Sequence, residues 1–147
     1  MSETRVFQIP SGHATDLLRP FIVVVDDEKR IADTLALILD SKGYSAEAAH
    51  DGESALEICR QRIPDLVLSD VVMPGMNGID LAIAVRQQFP DCYILLFSGQ
   101  ADTAEILEDA KRRGYNFELL AKPLHPEELL TRIRKLIGPH DARRRLG

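Results

Sequence analysis

Apolar and polar residues come in blocks along this chain, and the blocks are of two kinds. Short, largely apolar runs occupy Phe21 to Val25, Leu66 to Ser69, Tyr93 to Phe97 and Phe117 to Leu120, each bounded by polar or turn residues. That is the pattern of strands covered on both faces. Tyr44 to Ala49 is a further short strand with less β-branched character, which places it at the periphery of a sheet. The intervening segments are longer, with apolar residues at helical spacing. Lys29 to Ser41 carries Ile31, Leu35, Ile38 and Leu39 before Gly43, and Glu53 to Arg62 carries Ala55, Leu56 and Ile58 before Pro64. Gly78 to Phe89 carries Ile79, Leu81, Ala82, Ile83 and Val85 and stops at Pro90. A fourth helix, capped by Asp102, runs to Lys111 or Arg112 and stops at Gly114. Pro126 opens a fifth, whose apolar face is Leu129, Leu130, Ile133, Leu136 and Ile137 and which ends at Gly138-Pro139.

Strands alternating with helices five times imply an α/β domain, a parallel sheet with helices on both faces. Right-handed crossovers put the C-terminal ends of all its strands on one edge. The expected domain spans 21–138, with an N-terminal extension over 1–20 and a C-terminal tail over 139–147. That tail, with Arg143, Arg144 and Arg145, is too short to be an output domain.

Composition narrows the class. Hydrophobic residues at 45% and charged residues at 28% over 147 positions describe a globular chain able to build its own core. A net charge of −5 argues against a whole-domain nucleic-acid footprint, which would be basic. No apolar run approaches a membrane span, and the N-terminus lacks the basic region and apolar core of a secretory signal. Cys59 and Cys92 have no metal-ligand spacing and read as buried thiols in a reducing compartment. A cytoplasmic location follows.

Candidate chemistry lies at the strand ends. The first strand runs into Asp26-Asp27-Glu28, the third into Asp70, the fourth into Ser98-Gly99 and the fifth into Lys122-Pro123. Acidic residues opening a helix complement its dipole, which accounts for Asp27 or Glu28 but does not require all three. Clustered carboxylates repel unless a cation joins them or one stays protonated. Oxygen-only ligands suit a hard cation, best Mg²⁺. A lysine opposite the metal and a nearby hydroxyl complete a site for phosphoryl oxygens, with Asp70 as nucleophile. The four histidines, His13, His50, His125 and His140, lie away from these carboxylates and are read as surface residues.

These motifs carry a family resemblance. Val-Val-Val-Asp26-Asp27-Glu28, Leu-Val-Leu-Ser-Asp70-Val-Val-Met-Pro74-Gly-Met-Asn-Gly78, Phe-Ser98-Gly99 and Ala-Lys122-Pro123 together resemble the receiver domains of two-component response regulators over about Phe21 to Ile137. The resemblance implies a flavodoxin-like, doubly wound, five-stranded parallel sheet of order 2-1-3-4-5 with five helices in three layers. It implies that Asp70 is the phosphoacceptor, taking its phosphoryl group from the phosphohistidine of a sensor histidine kinase or phosphotransfer protein. Mg²⁺ would be held by the acidic pair Asp26 and Asp27, by Asp70 and by the backbone carbonyl of Val72. Lys122 would contact the phosphate beside a cis Lys122-Pro123 bond, Ser98 would be the switch hydroxyl, and Gly99 would keep the site accessible.

One position departs from the family. Three residues before the lysine, where an aromatic ring usually changes rotamer, stands Leu119, with Phe117 two residues earlier. The phosphorylation chemistry is expected intact, and the signal is expected to pass through Ser98 alone or by another surface. The expected function is a single-domain response regulator that switches protein contacts with an unknown target. It would have no DNA-binding domain and no membrane contact, and a phosphorylation-dependent homodimer is left open. It would be no enzyme beyond its own phosphorylation and dephosphorylation. The alternatives are a degenerate receiver used only for contacts and an aspartyl-phosphate-type phosphatase. Val72 disfavours the phosphatase, since a second Asp belongs at that position. A flavodoxin-like cofactor binder would need a Gly- or hydroxyl-rich loop after the first strand, and none is there. Of two positions beside the site, Val72 cannot orient an attacking water, and Gln100, two residues after Ser98, is the one expected to do so. Replacing it with alanine is expected to slow phosphate loss from Asp70, followed by timed mass measurement.

Overall fold

The computed structural model describes residues 18–99 and 103–138. In chain order the elements are β1 (Phe21–Val25), α1 (Lys29–Ser41), β2 (Ser45–Ala49), α2 (Gly52–Gln61), β3 (Leu66–Asp70), α3 (Gly78–Gln88), β4 (Tyr93–Ser98), α4 (Thr103–Arg112), β5 (Glu118–Ala121) and α5 (Pro126–Ile137). The strands form one parallel sheet in the order β2-β1-β3-β4-β5. This is the flavodoxin-like arrangement the motifs imply. Residues 1–17 of the expected 1–20 extension, the expected tail 139–147, and Asp102 as a cap fall outside the described residues.

Strict alternation along the central strands builds two cores. Val23, Val67, Ile94 and Leu96 face a layer of α2, α3 and α4, filled by Ala55, Leu56, Ile79, Leu81, Val85 and Ala110. Ile22, Val24, Leu66, Leu68, Leu95 and Phe97 face α1 and α5, filled by Leu35, Leu39, Leu129, Leu130 and Ile133. Strands sandwiched in this way must be apolar on both sides, hence the unbroken runs in the sequence. β2 lies at one edge, with only Ala49 fully buried.

Several details differ from the sequence reading by a residue or two. β3 and β4 each extend one residue further, so Asp70 and Ser98 close their strands rather than follow them. β5 begins at Glu118, which leaves Phe117 just outside it. On α1 the deepest positions include Ala32 and Ala36, with Ile31 and Ile38 only half-buried, because small residues allow the helix to approach the sheet. On α2, Cys59 is buried where Ile58 is half-buried.

Local chemistry sets the helix starts. Asp51 accepts from the Ser54 amide at 2.7 Å to cap α2, and Asn77 and Asp80 form a reciprocal capping box at α3. Glu28 stands at the N-cap of α1 without a side-chain cap bond, and the first turn holds no acidic residue, so dipole complementation leaves Asp26 and Asp27 unexplained. The chain before β1 is fastened by Arg19, whose guanidinium donates to the carbonyls of Asp40 (3.3 Å) and Tyr44 (3.5 Å). Among the described residues no helix is long and apolar enough to cross a membrane.

Both cysteines are free and buried, and burial pushes the Cys59 thiol up to about 11. Only the thiolate is a good nucleophile. In the native protein at mildly alkaline pH, neither thiol is therefore expected to react with a thiol-specific disulfide reagent until denaturant is added. A rapidly reacting thiol in the folded protein would contradict this packing.

Candidate functional site

The pleat of the sheet decides which side chains meet. Side chains two apart on a strand share a face. On β1, Ile22 and Val24 face α1 and α5, and the ladder continues through the Asp26 amide to the Ala49 carbonyl (3.2 Å), so Asp26 follows on that side. On β3, Asp70 follows Leu66 and Leu68. On β5 the Lys122 amide bonds the Ser98 carbonyl (3.1 Å), which carries Lys122 onto the same side as Leu120. Three strands thus deliver two carboxylates and an ammonium to one corner of the sheet edge.

One carboxylate oxygen from each of Asp26, Asp27 and Asp70 lies within 4.8 Å of the others. The Lys122 Nζ donates to Asp70 Oδ2 at 3.2 Å and also stands over the Phe97 ring, 5.4 Å from its centre. The Val72 amide donates to Asp70 Oδ1 at 3.3 Å. Asp26 is wholly buried; the Glu28 amide donates to its Oδ1 at 2.9 Å, while its Oδ2 has no hydrogen-bond partner. Burial is the main reason the Asp26 carboxyl is raised above its ordinary range. The Glu28 amide opposes this, the Asp70 charge adds to it, Lys122 opposes, and Asp27 adds again.

A cleft of about 320 Å³ opens over this cluster, lined by Asp27, Glu28, Asp70, Val72, Gly99 and Lys122. Its walls depend on two glycines. A Cβ at Gly78 would lie 2.1 Å from the Asp70 carbonyl oxygen, so only glycine lets α3 start tight against the end of β3. A Cβ at Gly99 would press to 3.2 Å from the Lys122 Cβ, on the stem that aims the ammonium. The donor set fits Mg²⁺. Three converging carboxylates offer oxygen-only ligation, and a buried carboxylate oxygen without a partner is what a cation would satisfy.

The other sequence-derived positions separate. Ser98 follows Ile94 and Leu96 on β4, so it faces the α4 side. There it shares a 2.6 Å hydrogen bond with the Thr103 hydroxyl, both residues being buried. The Lys122-Pro123 bond is cis. Phe117 and Leu119 pack on one core face, as their even offset suggests. The half-buried Phe117 ring stacks on Tyr115 (6.0 Å between centres), and the Arg86 guanidinium lies 5.3 Å from its centre, contacts that fit a packed aromatic. His50 pairs with Asp33 at 3.1 Å on the surface, and His125 is exposed at the start of α5. Lys111, Arg112 and Arg113 pair with Glu108 and Asp109. Gln100, His13, His140 and Arg143 to Arg145 lie outside the described residues. Sequence reading missed Glu28 as a cleft wall. It also missed Ser69, whose buried hydroxyl donates to the Asp70 carbonyl at 2.9 Å, and Thr103. The signal for Thr103 was present, a hydroxyl residue five positions after Ser98 at a helix start.

A doubly wound sheet with an acidic cluster and a lysine at its carboxyl edge defines a class of phosphoryl-handling signalling domains. Residues 22–134 match the family described as the response regulator receiver domain, and the chain belongs to that family. It is 32% identical over 126 residues to the DNA-binding response regulator MtrA of Mycobacterium tuberculosis, covering 86% of this chain and 54% of that protein. Against MtrA of Mycolicibacterium smegmatis it is 34% identical over 119 residues, covering 81% of this chain and 51% of that protein. The chain therefore spans about half the length of the curated relatives it matches. Among solved structures, Vibrio cholerae chemotaxis protein CheY4 aligns with a TM-score of 0.71 and 30% identity over 80% of this chain and 98% of that one. A receiver domain protein of Clostridium thermocellum aligns with a TM-score of 0.72 and 25% identity over 86% of this chain and 98% of that one.

Asp26→Asn removes a buried charge whose second oxygen lacks a partner. Without metal the variant is expected to be more stable than the parent by about 1–3 kcal/mol, read from urea unfolding in chelator. Added Mg²⁺ should stabilise the parent and leave the variant nearly unchanged.

Proposed function

We propose that Asp70 accepts a phosphoryl group and that the domain is switched by it. The observation that carries this reading is the placement of Asp70. It sits at the mouth of the cleft, with one oxygen fixed by Lys122 at 3.2 Å and the other by the Val72 amide at 3.3 Å. Asp26, Asp27 and Asp70, with the Val72 carbonyl, would hold Mg²⁺. When bound, that ion neutralises charge on the transferred phosphoryl oxygens.

The remaining work falls to the chain itself. A carboxylate oxygen of Asp70 attacks phosphorus in line with the leaving group. The new O–P bond forms as the N–P bond of a phosphohistidine, or the carboxyl O–P bond of acetyl phosphate, breaks and its electrons leave with the departing group. The Lys122 ammonium exchanges its bond to Asp70 for one to a phosphoryl oxygen, so positive charge is in place as negative charge arrives. Ser98 supplies a hydroxyl donor to the same group. Water later attacks phosphorus; the Asp70 O–P bond breaks, its electrons return to the carboxylate, and inorganic phosphate leaves with the water's oxygen and protons.

The donor partner is a sensor histidine kinase or a phosphotransfer protein. The output is a protein contact switched by phosphorylation, a homodimer among the candidates, in the cytoplasm. The unit that does this is residues 21–138, which turns over no separate substrate.

Incubation with Mg²⁺ and acetyl phosphate, followed by intact mass, tests the reading. One phosphoryl group should be gained by the parent and none by Asp70→Asn. Lys122→Ala should keep its fold but gain phosphate more slowly by roughly 100-fold or more, the scale of losing one preorganised charge-stabilising donor. Phosphate gained by Asp70→Asn at the same rate as the parent would overturn the assignment.

A further inference from the structure

We propose that Thr103 is a positioning residue for Ser98. Its hydroxyl holds the Ser98 hydroxyl on the α4 side of the sheet, and the first turn of α4 shifts when Ser98 is drawn to a phosphorylated Asp70. The inference rests on the reading of Asp70 given above and extends it to the route by which the signal leaves the site.

Three observations carry it. Ser98 faces away from the layer that Asp26, Asp70 and Lys122 share, because it is one residue out of phase with Phe97 on β4. Its hydroxyl is joined to Thr103 at 2.6 Å, with Ser98 5% and Thr103 2% exposed, so bulk water does not compete for either group. Thr103 is the first residue of α4, a helix in which only Thr103 and Ala110 are buried and Ile106 and Leu107 are packed in part. Little apolar contact fixes this helix, so a change at its first residue can move it.

The hydroxyl chemistry couples the two residues. A hydroxyl has one proton to donate, and phosphoryl oxygens only accept. If Ser98 donates to Thr103 beforehand, that bond must break for Ser98 to donate to the phosphoryl group. If Thr103 is the donor, it keeps its bond only by following Ser98. In the first case the Thr103 hydroxyl loses its donor and in the second its acceptor, within a residue only 2% exposed, where unmet polar groups are costly. The first turn of α4 therefore moves to restore a partner. By linkage, whatever removes the Ser98–Thr103 bond beforehand makes engagement of the phosphoryl group easier and separates it from α4.

The test uses the full chain with Mg²⁺ and beryllofluoride, a phosphoryl mimic that binds the acceptor carboxylate. Two quantities are read: the beryllofluoride concentration giving half-occupancy, and hydrogen exchange of α4 amides with and without it. The parent should show faster or slower α4 exchange on binding. Thr103→Val, which keeps shape and loses the hydroxyl, should bind beryllofluoride roughly 3- to 10-fold more tightly, the worth of one hydrogen bond. Its α4 exchange should no longer respond. Thr103→Ser should restore both parent values, which a purely packing role for the methyl group would not allow. Thr103→Ala takes the place of the valine variant if that one fails to show a cooperative thermal transition. Parent-like affinity and a parent-like α4 response in the hydroxyl-free variant would overturn the proposal, as would failure of Thr103→Ser to restore them. A parent that binds no beryllofluoride and gains no phosphate would overturn the reading of Asp70 and this proposal with it.

Discussion

The structure depends on holding like charges together. Three carboxylate oxygens stand within 4.8 Å of one another, with one lysine ammonium 3.2 Å from the central carboxylate. Two unit charges at such a separation repel by about 3–4 kcal/mol at an effective dielectric near 20. Lys122 offsets only part of that, and the buried Asp26 oxygen remains without a partner. The cluster persists because β1 and β3 are locked side by side by the sheet ladder and by apolar layers on both faces. The stability of the cores is what allows the edge to be unfavourable. A site built in this way is short of positive charge, which is the condition for taking up a divalent cation.

The same sheet divides the labour of the site between its two faces. Asp26, Asp70 and Lys122 continue the face covered by α1 and α5, while Ser98 continues the one covered by α2, α3 and α4. Asp70 and the Ser98 hydroxyl thus belong to opposite layers. Leu119 stands three residues before Lys122, and Phe117 stacks on Tyr115 with the Arg86 guanidinium 5.3 Å from its ring centre. The Ser98 hydroxyl is bonded to the first residue of α4.

Glycine does at this edge what polar residues cannot. The Asp70 carbonyl lies where a Gly78 side chain would begin, so the loop after the acceptor can fold back and start α3 against the strand end. Gly75, at φ +71°, gives that loop its left-handed turn. Gly99 leaves room for the Lys122 stem. These are constraints on shape, and they keep the cleft open to solvent while Asp26 and Asp70 below it stay buried.

The order and type of the elements, and the residues at the strand ends, were set by the sequence alone. Runs such as Phe21 to Val25 can be covered on both faces and little else, and helices with one apolar face can supply that cover. Asp26, Asp27, Asp70, Ser98 and Lys122 were legible because polar residues ending apolar strands are conspicuous. The tertiary structure alone decided what each of them touches. No local rule states that Asp26 keeps one oxygen unpartnered, that no acidic side chain caps α1, or that Ser98 bonds Thr103 across a loop instead of facing Asp70. Those outcomes follow from strand register and from the side of the sheet on which each helix returns. Both are settled by burying apolar area across the whole domain, beyond the reach of any single stretch of chain.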